Sequence, residues 1–431
     1  MGIEIHIVSH LPRTGIARRV INRDRLHRRI MEAITASLGS GLLSRYLHLG
    51  VHEHTLLAAY HPAAPPLMFT WDPSGQVFAS VKTSTVGPGF HAQVVELLDD
   101  VATRCGLSWR WNDCSNGDYA ISRNFEALQR ECAAALGLLA HAILQHAGTA
   151  SCTRALHWDL RTPMPQTTAF SISPNGVWSR EWWEELARAD AVELKLRARD
   201  FYPWWNKRQD AGFYLGFGKT LLWSEVPWHA PANNEEVDIC RLALDACSTA
   251  KTLDARIELP AEELNELALL IAPACDRARR PSAGGIGFRR GPVRIHTTGG
   301  WSIVLPGYFY AEGDQENIGV MYSFPGVTVN MSSATVGGAA GDPSAARRVV
   351  TDLVTIGTDD EDAFEFQQEQ LIGRALIASV DTDIRGGRYL DGRLASGSDV
   401  CHASIWYDDP SDRLWAIDTF KSIRHHRRPD N

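Results

Sequence analysis

Residues 210–225 read "DAGFYLGFGKTLLWSE", and the way this segment is taken decides the fold class. A phosphate loop needs a glycine, four further residues, then Gly-Lys-Ser/Thr, because backbone amides must curl around the phosphates ahead of the lysine. Counting back from Gly218-Lys219-Thr220, that glycine belongs at position 213, where the chain has Phe213; Gly212 comes one residue too early. The preceding "FYPWWNKRQD" is aromatic, polar and interrupted by proline, whereas the motif requires a buried strand. A helix accounts for the segment better. Phe213, Phe217 and Leu221 recur at four-residue spacing, Tyr214 lies beside them, and Pro227 ends the run. Gly212, Gly216 and Gly218 then become points where a neighbouring helix approaches closely, against their poor helix propensity. No nucleotide is expected.

The neighbouring sequence agrees with a helix. "SREWWEELARA" opens on the capping serine Ser179, and "NNEEVDICRLALDAC" and "PAEELNELALLIA" follow at short intervals. Residues 173–277 therefore read as a helical middle region. Residues 1–172 read as an α+β domain. "IEIHIVS" alternates as a strand, and Ile21, Leu26, Ile30, Ile34 and Leu38 recur at helical spacing. "YLHLGVHEHTLLAAY", "PPLMFTWD" and "GQVFASVKTST" are strand-like, as is "LSWRWND". "GPGFHAQVVELLDDVATRCG" is a helix with Pro88 in its first turn, Val94, Leu97, Leu98 and Val101 inward, and Gly106 at its end. "NFEALQRECAAALGLLAHAILQHAG" is a second, longer one. After the boundary-like "RARRPSAGGIGFRRGP", residues 285–431 read as an antiparallel sheet with flanking helices. "GRALIASVDTD", "GRYLDGRLAS" and "DVCHASIWYDD" are three successive strands, and "PSDRLWAIDTFKSIR" is a closing helix with Leu414, Ile417, Phe420 and Ile423 inward. The fold class is α+β.

A chain of 431 residues exceeds one ordinary core, and 44% hydrophobic with 22% charged residues is ordinary for a folded soluble protein. The net charge of −8 argues against general attraction to nucleic acid. One basic stretch stands out: Arg13, Arg18, Arg19, Arg23, Arg25, Arg28 and Arg29. The solvated face of a helix is the expected reading, with nucleic-acid binding through this segment as an alternative. The 8 cysteines are irregularly spaced and form no C-x-x-C pair, which predicts reduced, buried thiols and a cytoplasmic location. The N-terminus lacks a secretory pattern, and no apolar run approaches the ~18 residues a transmembrane helix needs, so no membrane is expected.

Two segments offer chemistry. Read as one strand, "HLGVHEHT" puts His48, His52 and His54 on one face, where neighbouring imidazoles reach a common zinc or other divalent metal. A metal-dependent enzyme is the alternative this cluster supports; otherwise no cofactor is expected. "TVGPGFHA" places His91 in the first turn of a helix behind a Gly-Pro turn whose amides suit an anion, but an ordinary loop-to-helix connection with an exposed histidine is the expected reading. Nowhere do an acid, a base and a nucleophile assemble. Of the 14 tryptophans, the adjacent pairs Trp182–Trp183 and Trp204–Trp205 are candidate contacts to a protein partner, with core packing the competing use.

"GWSIVLPGYFY", a strand running into "LPG", is followed by paired strands, the strand "ASIWYDD" and a helix ending "FKSIR". Over residues 290–424 this order resembles the PsbP/Mog1-like α/β sandwich. The resemblance implies a binding module, a shape also used by chaperones for bacterial secreted effectors, and it carries no catalytic residues. The whole chain looks similar to multi-domain bacterial proteins of the immunity or accessory type. The resulting expectation is a non-enzymatic protein-binding accessory, chaperone or immunity component of a bacterial multi-protein system.

Overall fold

The computed structural model describes residues 3–10, 23–72, 76–111, 118–146, 153–158, 162–312, 319–337, 342–352, 362–368, 371–382 and 385–426. The chain divides into two units. The first comprises Met1–Trp158, Thr167–Val226 and Pro231–Ile271; the second comprises Asp159–Gln166, Pro227–Ala230 and Ala272–Asn431. Both mix helices with antiparallel sheet, so the fold is α+β.

In the first unit, strands β1 (Glu4–His10), β2 (His48–His52), β3 (Thr55–Ala59), β4 (Leu67–Trp71) and β5 (Gln76–Lys82) form an antiparallel sheet in the order β1-β5-β4-β3-β2. Alternation sends Ile5, Ile7, Leu56, Ala58, Leu67, Phe69, Val77, Ala79 and Val81 to the buried face. Helix α1 (Arg23–Leu38) follows β1, α2 (Leu42–Tyr46) precedes β2, and α3 (Pro88–Cys105) follows β5. Leu26, Ile30 and Ile34 of α1 are buried and His27 sits 4.1 Å over Trp71, while Arg25, Arg28 and Arg29 face solvent. Arg13, Arg18 and Arg19 lie outside the described residues. The residues expected inward on α3, Val94, Leu97, Leu98 and Val101, are all fully buried, and Gly106 ends that helix in the left-handed conformation, φ 71°. The expected strand at "LSWRWND" contributes only a single bridge, Arg110 to Val8.

Next come α4 (Asp118–Ser122) and α5 (Phe125–Gln145). By length and composition α5 would suffice to cross a membrane; here it packs against α6 (Arg180–Arg188) and α7 (Ala191–Phe201). The cysteines Cys105, Cys132, Cys240, Cys247 and Cys401 are free and buried, and Cys275 is free and half-buried; Cys114 and Cys152 lie outside the described residues.

The opening segment is helical. Helix α8 (Ala211–Thr220) begins at Asp210, whose carboxylate accepts the Phe213 amide at 3.0 Å, and runs into a π-helical turn, Leu221–Glu225. Phe213, Phe217 and Leu221 are buried. Gly216 and Gly218 do what a close approach requires. A Cβ on Gly216 would stand 2.2 Å from the Pro203 carbonyl oxygen, and one on Gly218 would stand 2.6 Å from Cys247 Sγ. Cys247 belongs to the adjoining α9 (Asn234–Leu253), which is followed by α10 (Ala261–Leu270). Lys219 points to solvent at the end of a helix, with no loop around it. Asp210→Ala is expected to destabilise the first unit by ~1 kcal/mol through loss of the cap. Lys219→Ala should stay within ~0.5 kcal/mol of the parent. Urea denaturation of both variants separates these outcomes; equal effects would contradict the helical account.

In the second unit, a small sheet runs β19-β11-β10-β7, from β7 (Met164–Pro165), β10 (Pro292–His296), β11 (Trp301–Pro306) and β19 (Arg424–His425). The first unit carries the short strands β6 (Arg154–Ala155), β8 (Ser171–Ser173) and β9 (Gly176–Trp178). The larger sheet of the second unit is β12-β13-β14-β18-β17-β16-β15, all antiparallel: β12 (Tyr310–Glu312), β13 (Gly319–Phe324), β14 (Val327–Thr335), β15 (Asp362–Gln368), β16 (Leu371–Thr382), β17 (Arg385–Ser396) and β18 (Asp399–Tyr407). The three strands expected in succession pair as β16, β17 and β18. One face of this sheet shares a core with Trp301, Ile303 and Leu305 of β11 and with Phe420 of the closing helix α12 (Arg413–Lys421). Phe420 and Ile423 are buried as expected, but Leu414 is 69% exposed. It stands in the helix's first turn, rotated away from the sheet. On the opposite face, α11 (Pro343–Thr351) packs Ala346 and Val350 on Ala395 and Val400.

Candidate functional site

The first sheet has one face open to solvent, and its register builds that face row by row. His6, Ser80, Met68, Leu57 and Gly50 stand in line across all five strands; Val8, Phe78, Thr70, Thr55 and His52 form the next row. Open faces of antiparallel sheets are normally polar. Here Met68 is 38% and Phe78 39% exposed, with Val8 and Leu57 half-buried beside them. The local cause is legible in "LMFTW" and "QVFASVK", which place large apolar residues on both sides of the strand. Polar groups frame the apolar centre: Thr55, Thr70, Ser80, His52, and His6 with its 2.9 Å contact to Glu4.

This face also holds two of the three histidines expected to bind metal. The segment "HLGVHEHT" is not one strand. It turns at Glu53–His54, where Glu53 adopts φ 44°, so His54 leaves the alternation that would have put it beside His52. His48 and His52 remain on the same face, four residues apart, with His48 edge-on to Tyr46 at 5.2 Å. Among the described residues no group of three or more His, Cys, Asp or Glu side chains is arranged to hold a metal ion.

The tryptophans expected to reach a partner are placed differently. Trp183 and Trp204 are 0% and Trp205 7% exposed. The Trp183 indole donates to Ser171 Oγ at 2.6 Å, Trp204 packs 4.4 Å from Phe213, and Trp205 stacks on Tyr202 at 6.1 Å. Their faces are taken up by internal packing, which leaves none free for a partner. Trp182 is half-buried, 4.5 Å from Trp178 and 5.7 Å from Phe201. The Gly-Pro turn ahead of His91 is likewise closed: the Gly89 amide donates to the Trp204 carbonyl at 3.1 Å, and His91 is buried.

In the second unit, β13, β14 and β18 frame a concavity of about 550 Å³ whose walls include Met321, Asn330, Ser332, His402 and Ser404. Beside it, His402 Nε2 donates to Asp391 Oδ1 at 2.5 Å, and Tyr389 Oη donates to the same oxygen at 3.1 Å. Burial alone would raise the Asp391 carboxyl. The hydrogen bond and charge of His402, the Tyr389 bond and the Arg393 charge outweigh it, and the acid ends below its ordinary range. Burial, and then the Asp391 charge, raise the Tyr389 phenol. Ser404 hydrogen-bonds Tyr389, and among the described residues no hydroxyl bonds the His402 imidazole. A nucleophile–base pair is therefore not formed. The arrangement can orient a polar ligand, and as it stands it activates no nucleophile.

No protein-family model matches the chain, and no curated protein does. A crystal structure of a protein from Bacteroides thetaiotaomicron VPI-5482 is similar over 30% of this chain and 47% of that one, at 11% identity and a TM-score of 0.25. The chain thus spans about half of that protein's length, and a likeness of this size decides neither fold nor function.

Proposed function

We infer that this chain is a non-enzymatic protein-binding component, an accessory, chaperone or immunity subunit of a bacterial multi-protein system, and that it grips its partner on the open face of the β1–β5 sheet. The observation that carries this reading is the solvent-facing pair Met68 and Phe78 in the middle of a regular sheet, with Leu57 and Val8 alongside and hydroxyl and imidazole groups around them. An apolar centre with a polar rim is the anatomy of a protein interface. The partner's matching surface is accordingly apolar at its centre.

A photo-crosslinking amino acid at position 78, in the native host, should trap one discrete protein. The same group at Leu269, an exposed apolar residue of α10, should not. The double change Met68→Glu with Phe78→Glu should weaken that complex by about 2 kcal/mol while leaving the melting temperature within a few degrees. Identical products from positions 78 and 269, or a complex indifferent to the double change, would refute the assignment.

A further inference from the structure

On the outer face of the small sheet in the second unit, five side chains from three strands converge. Register aligns His296, Ser302 and Arg424 across β10, β11 and β19. Arg294 lies two residues before His296 on the same face, and His426 two residues after Arg424. The contacts follow from that register. Arg294 Nη1 donates to Ser302 Oγ at 3.1 Å and to the Ser422 carbonyl at 3.2 Å. Ser302 Oγ lies 2.8 Å from His426 Nε2, and the His296 and His426 rings are 5.1 Å apart. Arg424 Nη1 is held by the carbonyls of Lys421 and Ile423 at 2.6 and 2.8 Å.

Two guanidinium groups and two imidazoles thus share one face with a hydroxyl. Among the described residues no carboxylate pairs with any of them. The nearby acid Asp399 is engaged 3.3 Å from His425, whose ring packs on Trp301 at the other side of the strand. Like charges held together without a counter-ion repel, and that repulsion is relieved by an anion. Burial and then the Arg424 charge lower the Arg294 guanidinium. Burial, followed by the charges of His296, Arg294, His425 and Arg424, lowers His426.

The geometry points to a binding site for a phosphate-type oxyanion, either free phosphate or a phosphate monoester, formed by Arg294, His296, Arg424 and His426 over the buried Ser302 hydroxyl. Arg294 already donates to Ser302 Oγ, so the serine proton turns to neutral His426 Nε2 when the site is empty. An arriving oxyanion favours protonated His426. Ser302, fully buried beneath these groups, then accepts from both Arg294 and His426 and holds them in place. Anion binding is therefore coupled to proton uptake, and affinity rises as pH falls. The remaining charged groups nearby, Lys421 at the end of α12 and the His425–Asp399 pair, lie outside this set of contacts. The site is independent of the partner-binding face assigned above.

Side-chain histidine NMR of the full chain, titrated with inorganic phosphate at pH 6, tests it. His296 and His426 signals should shift saturably, chloride at equal ionic strength should not reproduce the shift, and the dissociation constant for sulfate, a dianion at both values, should be on the order of tenfold weaker at pH 8 than at pH 6. Arg294→Gln should abolish the saturable shift. Should that variant fold poorly, His296→Gln at an exposed position should weaken binding severalfold with an unchanged melting curve. Phenyl phosphate binding as well as inorganic phosphate marks a phosphorylated ligand; phosphate alone marks the free ion. Either upholds the site. Shifts matched by chloride, or unchanged phosphate affinity in His296→Gln and Arg294→Gln, would overturn it.

Discussion

Replacing Gly89 by alanine is expected to destabilise the first unit by roughly 3 kcal/mol or more, the upper end of what overpacking costs. Residues 86–89 are the seat for Trp204. The Trp204 amide donates to the Val86 carbonyl at 3.0 Å, and the Gly89 amide donates to the Trp204 carbonyl at 3.1 Å. Between these bonds the indole is 0% exposed, with Phe213 4.4 Å away and Phe90 6.3 Å away. A Cβ on Gly89 would stand 2.1 Å from Trp204 Cδ1, 2.3 Å from Nε1 and 2.4 Å from the Asn206 carbonyl oxygen. The ring is enclosed, and the Asn206 atom is backbone, so neither yields by a change of rotamer. Gly87 completes the seat, with φ 114° and space for a Cβ closed by Tyr202 Cβ at 2.7 Å. Gly41→Ala is the matched control: φ is −79° and a Cβ there meets nothing within 4 Å. Thermal melts followed by tryptophan fluorescence should show a drop of about 10 °C for Gly89→Ala and little change for Gly41→Ala. A Gly89→Ala protein melting with its parent would show that this packing does not hold the unit together.

This seat illustrates what sequence does and does not reveal. The helix at α3 was readable because Pro88, the apolar residues Val94 to Val101 and Gly106 are local signals. The helix at α8 was readable because Phe213, Phe217 and Leu221 keep one period. The use of Gly87 and Gly89 was not, since their partners Tyr202 and Trp204 lie more than a hundred residues away. Tryptophan pairs suit a core more often than an interface, and the close fit around Trp183 and Trp204 puts those two in the core. At the histidines, a two-residue turn was enough to remove His54, because side-chain direction reverses with every residue of a strand. Leu414 was misplaced for the analogous reason in a helix: in the first turn of α12 it is Trp415 and Ala416 that face the core, and Leu414 is rotated away. The oxyanion cluster lay furthest from view. His296, Ser302 and Arg424 meet only because the two-residue strand β19 returns to β11 across more than a hundred residues, and no local period records that pairing. Met68 and Phe78 were visible as apolar residues on the wrong side of strands, a signal that periodicity alone treats as noise.

His61 and His91, two buried neutral histidines, should together take about 4 kcal/mol from the first unit between pH 7.5 and pH 5. His61 is 1% exposed, between Phe217 at 5.1 Å, Phe90 at 5.7 Å and Trp204 at 6.2 Å. Its Nδ1 accepts the Ala63 amide at 3.1 Å, which fixes the proton on Nε2, a buried atom with no hydrogen-bond partner. A second proton would have to sit on Nδ1, facing that amide, and burial holds the pKa down at about 3. His91 is 2% exposed and lies 2.9 Å from Thr83 Oγ1. The Thr83 hydroxyl donates to the Ile3 carbonyl at 3.1 Å, so His91 Nδ1 donates to Thr83; burial lowers this imidazole to about 4. Unfolded histidine titrates near ~6.5, so above that value neither state takes up a proton and stability is complete. As pH falls below it, the unfolded chain binds protons that the folded imidazoles refuse. Each group then removes ~1.4 kcal/mol per pH unit until its folded pKa is reached, which gives ~2 kcal/mol apiece at pH 5. Against a total stability of roughly 5–15 kcal/mol this is a large fraction. His61→Leu should begin ~1 kcal/mol less stable at pH 7.5, having lost the acceptor for Ala63, yet lose ~2 kcal/mol less than its parent on acidification. Denaturation of parent and variant at the two pH values measures this directly, with hydrogen exchange of residues 86–105 reporting on the first unit. An equal acid-induced loss in both proteins, or a His61 ring proton titrating near ~6.5 in the folded chain, would rule out this origin for the pH dependence.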